Sequence, residues 1–126
     1  MDAEIWIADD DADDIFFYQE ALQQLKITDT IRIFRDGSAV MQQLQLNNGV
    51  PPRILLLDGH MPVMSGVDVI KDLCVSSLLQ DCRVIVLTGT LSPLDEETIR
   101  RYNVPVYRKP SSPTDLLNLM RTIVSA

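Results

Sequence analysis

Basic residues are scarce in this chain: 11 Lys and Arg stand against 18 Asp and Glu, for a formal net charge of -7. Nucleic acid wants a basic face, and so does an anionic membrane surface, so the charge balance argues against both as partners. The same acidic surplus keeps a small protein soluble. Apolar runs are short, and none approaches the roughly 20 residues of a membrane-spanning helix. The start of the chain, Met1-Asp2-Ala3-Glu4, is acidic and unlike a secretory leader. Cysteine is confined to Cys74 and Cys82, too far apart for a C-x-x-C motif and without ligand-type neighbours. Two reduced thiols in a cytoplasmic protein are therefore expected. Repeats, low-complexity tracts and linkers are absent too. What is present is 126 residues, 46% of them hydrophobic, which fits one domain over 1–126. A chain of this length buries roughly two-thirds of its unfolded surface without disulfides or a structural metal.

Apolar segments alternate with amphipathic ones, the pattern of a doubly wound α/β fold. Strands are expected at Glu4 to Ala8, Ile31 to Phe34, Ile54 to Leu57, Arg83 to Thr88 and Val104 to Tyr107. The third and fourth are almost wholly aliphatic, as strands covered by helices on both faces should be. Five helices fill the intervals. In the first, Phe17, Tyr18, Ala21, Leu22 and Leu25 form one stripe at helical spacing, with Phe16 facing away. Asp11 or Asp13 suits its N-cap, and Asp14 suits the positive end of its dipole. Asn47-Asn48-Gly49 should end the second helix before Pro51-Pro52 stiffens the next strand. Leu116, Leu117, Met120, Ile123 and Val124 give the last helix its buried stripe, with Leu119 at the edge. Trp6 reads as core.

Two strands end in acid. Ile54-Leu55-Leu56-Leu57 runs into Asp58, and Ile5-Trp6-Ile7-Ala8 runs into Asp9-Asp10-Asp11. Ligands of open parallel α/β sheets bind at the carboxyl ends of the strands. If these strands are neighbours, three or more carboxylates converge there. Two carboxylates about 4 Å apart repel by about 4 kcal/mol at an effective dielectric of 20. Such a cluster calls for a cation, a proton or a reaction.

Asp58-Gly59-His60-Met61-Pro62-Val63-Met64-Ser65-Gly66 fits the pattern D-x-x-M-P-x-M-x-G. This resembles the phosphoacceptor segment of bacterial response-regulator receiver domains. Asp9-Asp10, Asp36-Gly37, Thr88-Gly89 and Lys109-Pro110 are the other landmarks of that family, one after each remaining strand. Five ordered landmarks are far more specific than one, and the resemblance covers essentially the whole chain. The run Asp9 to Asp14, with the long loop before the third strand, looks like the single-domain subfamily that includes partners of bacterial phytochrome kinases. The resemblance implies a flavodoxin-like five-stranded parallel sheet of order 2-1-3-4-5 with five flanking helices. It further implies a Mg²⁺ site made by Asp9, Asp10, Asp58 and the backbone carbonyl of His60. Asp58 would be the phosphoacceptor, with Thr88 and Lys109 holding the phosphoryl oxygens and a cis Lys109-Pro110 bond aiming the lysine. Mg²⁺ is a hard cation that bridges carboxylate and phosphoryl oxygens, and phosphoryl transfer asks mainly for positioning and charge stabilisation.

The implied partners are a sensor histidine kinase or phosphotransfer protein and a downstream protein target. Homodimerisation through the fourth helix, fifth strand and fifth helix is a further implication, with Glu96, Glu97, Arg100, Arg101, Tyr107 and Leu119 as the residues to examine. One departure is visible. The family's aromatic residue three before the lysine is here Val106, and alternation puts Tyr107 on the opposite sheet face. Taken singly, Asp58-Gly59 reads as a turn, Thr88 as a strand end, Lys109 as a surface lysine and His60 as a loop residue. Asp13 and Asp14 read as helix-capping or solvating. Two other functions compete: a docking module that has lost phosphotransfer, and a phosphatase working through an aspartyl phosphate. The complete Asp9, Asp10, Asp58, Thr88 and Lys109 set opposes the first. His60 opposes the second, because a catalytic acid is wanted two residues after the nucleophile. The chain therefore reads as a switch rather than an enzyme.

Overall fold

The computed structural model describes residues 3–46, 50–78 and 80–125. Strand and helix alternate throughout: β1 Glu4–Ala8, α1 Ala12–Gln24, β2 Thr30–Phe34, α2 Gly37–Leu46, β3 Ile54–Leu57, α3 Gly66–Val75, β4 Arg83–Thr88, α4 Pro93–Arg101, β5 Val106–Arg108 and α5 Pro113–Val124. The strands are parallel, in the order β2-β1-β3-β4-β5. This is the expected doubly wound arrangement. Among the described residues no helix is long and apolar enough to cross a membrane.

Strand alternation divides the core in two. Trp6, Ala8, Leu55, Leu57, Val84 and Val86 point to the side covered by α2, α3 and α4, where they meet Val40, Leu44, Ile70, Leu73 and Ile99. Ile5, Ile7, Ile54, Leu56, Ile85 and Leu87 point the other way, onto Ile15, Leu22, Leu116 and Met120 of α1 and α5. Burying each aliphatic side chain contributes about 1.5–3 kcal/mol, and this fixes strand register and hence where each strand ends. Polar caps end the helices on the same edge. Ser65 and Asp68 form a capping box on α3, and Ser92 and Ser112 cap α4 and α5 ahead of Pro93 and Pro113.

Several local expectations need correction. β5 starts at Val106, not Val104: Pro105 has no N–H for the ladder, and Val104 is buried as a packing residue instead. In α1, Phe17 is 48% exposed, and Ile15 joins Tyr18, Ala21 and Leu22 inside. Phe17 lies one residue before Tyr18, and that helical step carries it off the core face and edge-on to the exposed Phe16. In α5, Leu117 and Val124 are only half-buried beside Leu116, Met120 and Ile123. Both cysteines are free, but Cys74 is exposed, while burial pushes the Cys82 thiol up to about 12. The expected stop at Asn47-Asn48-Gly49 lies outside the described residues.

Candidate functional site

Ala8 of β1 stands opposite Leu57 of β3, so the next residue on each strand, Asp9 and Asp58, leaves the sheet at the same level. Backbone bonds continue the ladder past the last strand residues: Asp9 N–H donates to the Phe34 carbonyl at 3.0 Å and Asp58 N–H to the Ala8 carbonyl at 2.9 Å. Both carboxylates are buried, Asp9 at 1% and Asp58 at 6% exposure, while Asp10 lies exposed on the rim. One carboxylate oxygen from each of the three lies within 4.8 Å of the others. An all-oxygen set of this size and charge fits a hard divalent cation.

The turn after β1 divides its acids by role. Asp9 Oδ1 accepts the Asp11 N–H at 2.9 Å. Asp11 is the N-cap of α1, and its Oδ1 accepts from the N–H groups of Asp13 and Asp14 at 2.9 and 3.1 Å. After β3, the His60 N–H donates to Asp58 Oδ1 at 3.1 Å, and the His60 side chain is exposed. The first turn of α3 presses against this loop: a Cβ on Gly66 would lie 2.4 Å from the Asp58 carbonyl oxygen, so only glycine fits. Gly37, the first residue of α2, is equally tight: a Cβ there would lie 2.5 Å from the Met64 carbonyl oxygen. Val63 in the same loop has φ of 66°, a left-handed conformation that a β-branched residue rarely takes.

Lys109 closes the site from β5. Its N–H donates to the Thr88 carbonyl at 2.9 Å, and its ammonium meets Asp9 Oδ2 at 2.9 Å, Asp14 Oδ2 at 2.6 Å and Asp58 Oδ2 at 3.3 Å. The expected cis Lys109-Pro110 bond is not found, because no described peptide bond is cis. Trans is the lower-energy form, and the ion pairs and the Thr88 bond direct the lysine without it. Thr88 is buried beside Gly59, and its hydroxyl donates to the Thr90 carbonyl at 2.9 Å. Val106 packs half-buried against the α4-side core and Tyr107 is exposed, as alternation requires.

Burial pushes the Asp9 carboxyl up to about 6, helped by the nearby Asp58 charge and opposed by the Asp11 N–H and Lys109. Burial alone would lower Lys109, yet its bonds to Asp14 and Asp9 hold it above the usual lysine value. All of Asp9, Asp10, Asp58, Thr88 and Lys109 thus gather at one edge of the sheet. Asp14 was not expected among them. Its signal in the sequence was slight: an acid one turn into a helix whose first residues adjoin Asp9, four positions before the core residue Tyr18.

The sequence profile of response regulator receiver domains matches residues 5–121. A probable methanogenesis regulatory protein, FilR2 of Methanothrix harundinacea, is 30% identical over 122 residues, 94% of this chain and 77% of its own length. Response regulator Rcp1 of Synechocystis is 29% identical over 106 residues, 81% of this chain and 71% of its own. A Mn²⁺-bound crystal structure of Rcp1 superposes with a TM-score of 0.83 at 27% identity, covering 98% of this chain and 92% of that one. The phosphorylated cyanobacterial phytochrome response regulator RcpA shares the fold with a TM-score of 0.83 at 23% identity, over 98% and 91% of the two chains. With the fold, the acidic edge and the profile in agreement, the chain belongs to the response regulator receiver domain family.

Proposed function

We propose that this chain is a phosphorylation-controlled switch, a receiver that takes a phosphoryl group on Asp58 from a histidine kinase or phosphotransfer protein. An Asp58 carboxylate oxygen forms a bond to phosphorus as the phosphorus–nitrogen bond of the phosphohistidine breaks, and the imidazole leaves with a proton from solvent. The observation that carries this reading is the convergence of Asp9, Asp10 and Asp58 oxygens within 4.8 Å, beside the Lys109 ammonium. Mg²⁺, held by Asp9, Asp10, Asp58 and the His60 carbonyl, would neutralise the acids and the incoming phosphoryl oxygens. The metal and phosphoryl groups on the similar Rcp1 and RcpA support that assignment. Lys109 and Thr88 supply an ammonium and a hydroxyl to phosphoryl oxygens. The chain assists its own phosphorylation and dephosphorylation, acts on no separate substrate and works in the cytoplasm.

The aspartyl phosphate adds roughly -1.5 to -2 charges. Inverting a 1:99 equilibrium takes about 5.5 kcal/mol, which two or three charge-assisted hydrogen bonds of about 1.5–3 kcal/mol each supply. Output then passes through protein contacts, and the face of α4, β5 and α5 is the surface assigned to them and to any homodimer. There Arg100 pairs with Glu96 and Arg101 with Glu97 along α4. Acetyl phosphate with Mg²⁺ is expected to add one phosphoryl mass to the protein. Asp58→Asn should abolish that addition and leave the circular dichroism spectrum intact. Labelling of the variant at the wild-type rate refutes the assignment.

A further inference from the structure

Lys109 engages three carboxylates, and one of them stands outside the metal cluster. An ammonium has three N–H donors, and the contacts to Asp9, Asp14 and Asp58 occupy all of them. Asp9 and Asp58 are members of the acid cluster and would share their oxygens with a cation; Asp14 is not. The Asp14 contact is also the shortest of the three, at 2.6 Å. Asp11 holds the Asp14 N–H at 3.1 Å, so the capped first turn of α1 fixes where that carboxylate stands.

Resting on the reading of Asp58 as phosphoacceptor, we propose that Asp14 is a positioning residue that holds the Lys109 ammonium and competes with the phosphoryl group for it. Each hydrogen bond that Lys109 gives to Asp14 is one that a phosphoryl oxygen must win. Asp14 also adds negative charge in the path of an anionic donor. A cavity of about 180 Å³ borders Asp14, Tyr18 and Lys109, so the lysine can leave Asp14 without repacking the core. Asp14 thereby raises the donor concentration needed to load the site.

The test compares wild type with Asp14→Asn, Asp14→Glu and Asp13→Asn at saturating Mg²⁺. Asp13 is exposed on the same turn, so its variant removes the same charge without touching Lys109. The measured quantities are the half-saturating concentrations of acetyl phosphate and of beryllofluoride. Charge-assisted bonds that are partly open to solvent predict a decrease of about three- to tenfold for Asp14→Asn. Asp13→Asn should stay within about twofold of wild type, and Asp14→Glu should return toward it. In metal-free protein, the ¹⁵N signal of the Lys109 ammonium should show slow hydrogen exchange in wild type and fast exchange in Asp14→Asn. A wild type that saturates normally while Asp14→Asn matches Asp13→Asn, or binds more weakly, overturns this inference alone. Unchanged ammonium exchange overturns it too. A wild type that takes up neither ligand overturns the phosphoacceptor reading as well.

Discussion

Replacing Asp9 with Asn should make the metal-free protein more stable at pH 8, although it damages the site. Asp9 is 1% exposed, and its carboxyl is pushed from 3.8 up to about 6, chiefly by burial. Each unit corresponds to about 1.4 kcal/mol, so holding this group ionised in the folded state costs roughly 3 kcal/mol at pH 8. The opposing attraction of Lys109 is already contained in that shift, and Lys109 keeps Asp14 and Asp58 when Asp9 is neutralised. The amide oxygen of Asn can still accept the Asp11 N–H. After imperfect fit of the buried amide, a gain of about 1–3 kcal/mol is expected, or roughly 4–12 °C in Tm for a domain of this size.

The pH dependence identifies the cause. Between 3.8 and about 6 the folded state holds a proton on Asp9 that the unfolded chain has released. As far as this group goes, wild-type stability is therefore highest at the acid end and is lost as pH rises through about 6. Asp9→Asn lacks that loss, so its advantage should hold from pH 8 down to just above 6 and then shrink toward pH 4. Urea denaturation in EDTA across this range measures it. Mg²⁺ at ten times its dissociation constant adds about 1.4 kcal/mol to a protein that binds it, and the variant should gain far less. An Asp9→Asn protein less stable than wild type at pH 8 without metal, or equally displaced at pH 4.5 and pH 8, refutes the reasoning.

Tyr18→Phe should leave stability unchanged or raise it by up to about 1 kcal/mol, because a buried hydroxyl without a protein partner is removed; a loss above that in chemical denaturation contradicts it. Val63→Asn should stabilise by about 1 kcal/mol, since Val63 is 86% exposed at φ of 66° and Asn tolerates the left-handed region. An unchanged or lower Tm refutes the claim that the loop is strained there.

The sheet was legible because burial on both faces leaves an unmistakable trace. Ile54 to Leu57 and Arg83 to Thr88 are aliphatic runs that end in a polar residue, and both form over the expected residues. The acid cluster was legible for the same reason, since Asp9 and Asp58 each follow the last residue of a buried strand. The edge strand was less so: Val104 is apolar because it packs, not because it pairs, and Pro105 separates the two roles. Phe17 misled because period alone cannot say which of two adjacent aromatics faces inward. Asp14 was missed because a first-turn acid serves a helix dipole as readily as it serves a lysine 95 positions away in the chain.

The valine three residues before Lys109 bears on how the proposed switch would communicate. Val106 stands where the family carries a ring, half-buried against the same core face as Leu91, while Tyr107 points away from it. No aromatic side chain on that face of β5 is available to swing inward. Thr88 nevertheless has one hydroxyl hydrogen, and it is spent on the Thr90 carbonyl. A phosphoryl oxygen that takes this hydrogen must break the bond to Thr90. Thr90 leads through Leu91 directly to Ser92, the N-cap of α4, and Leu91 already lies over Gly59, where a Cβ would come within 2.7 Å of its Cδ1. The covalent segment Thr90-Leu91-Ser92 therefore runs from the end of β4, over Gly59, to the N-cap of α4, and along it a loaded Asp58 would reach α4 without a moving ring.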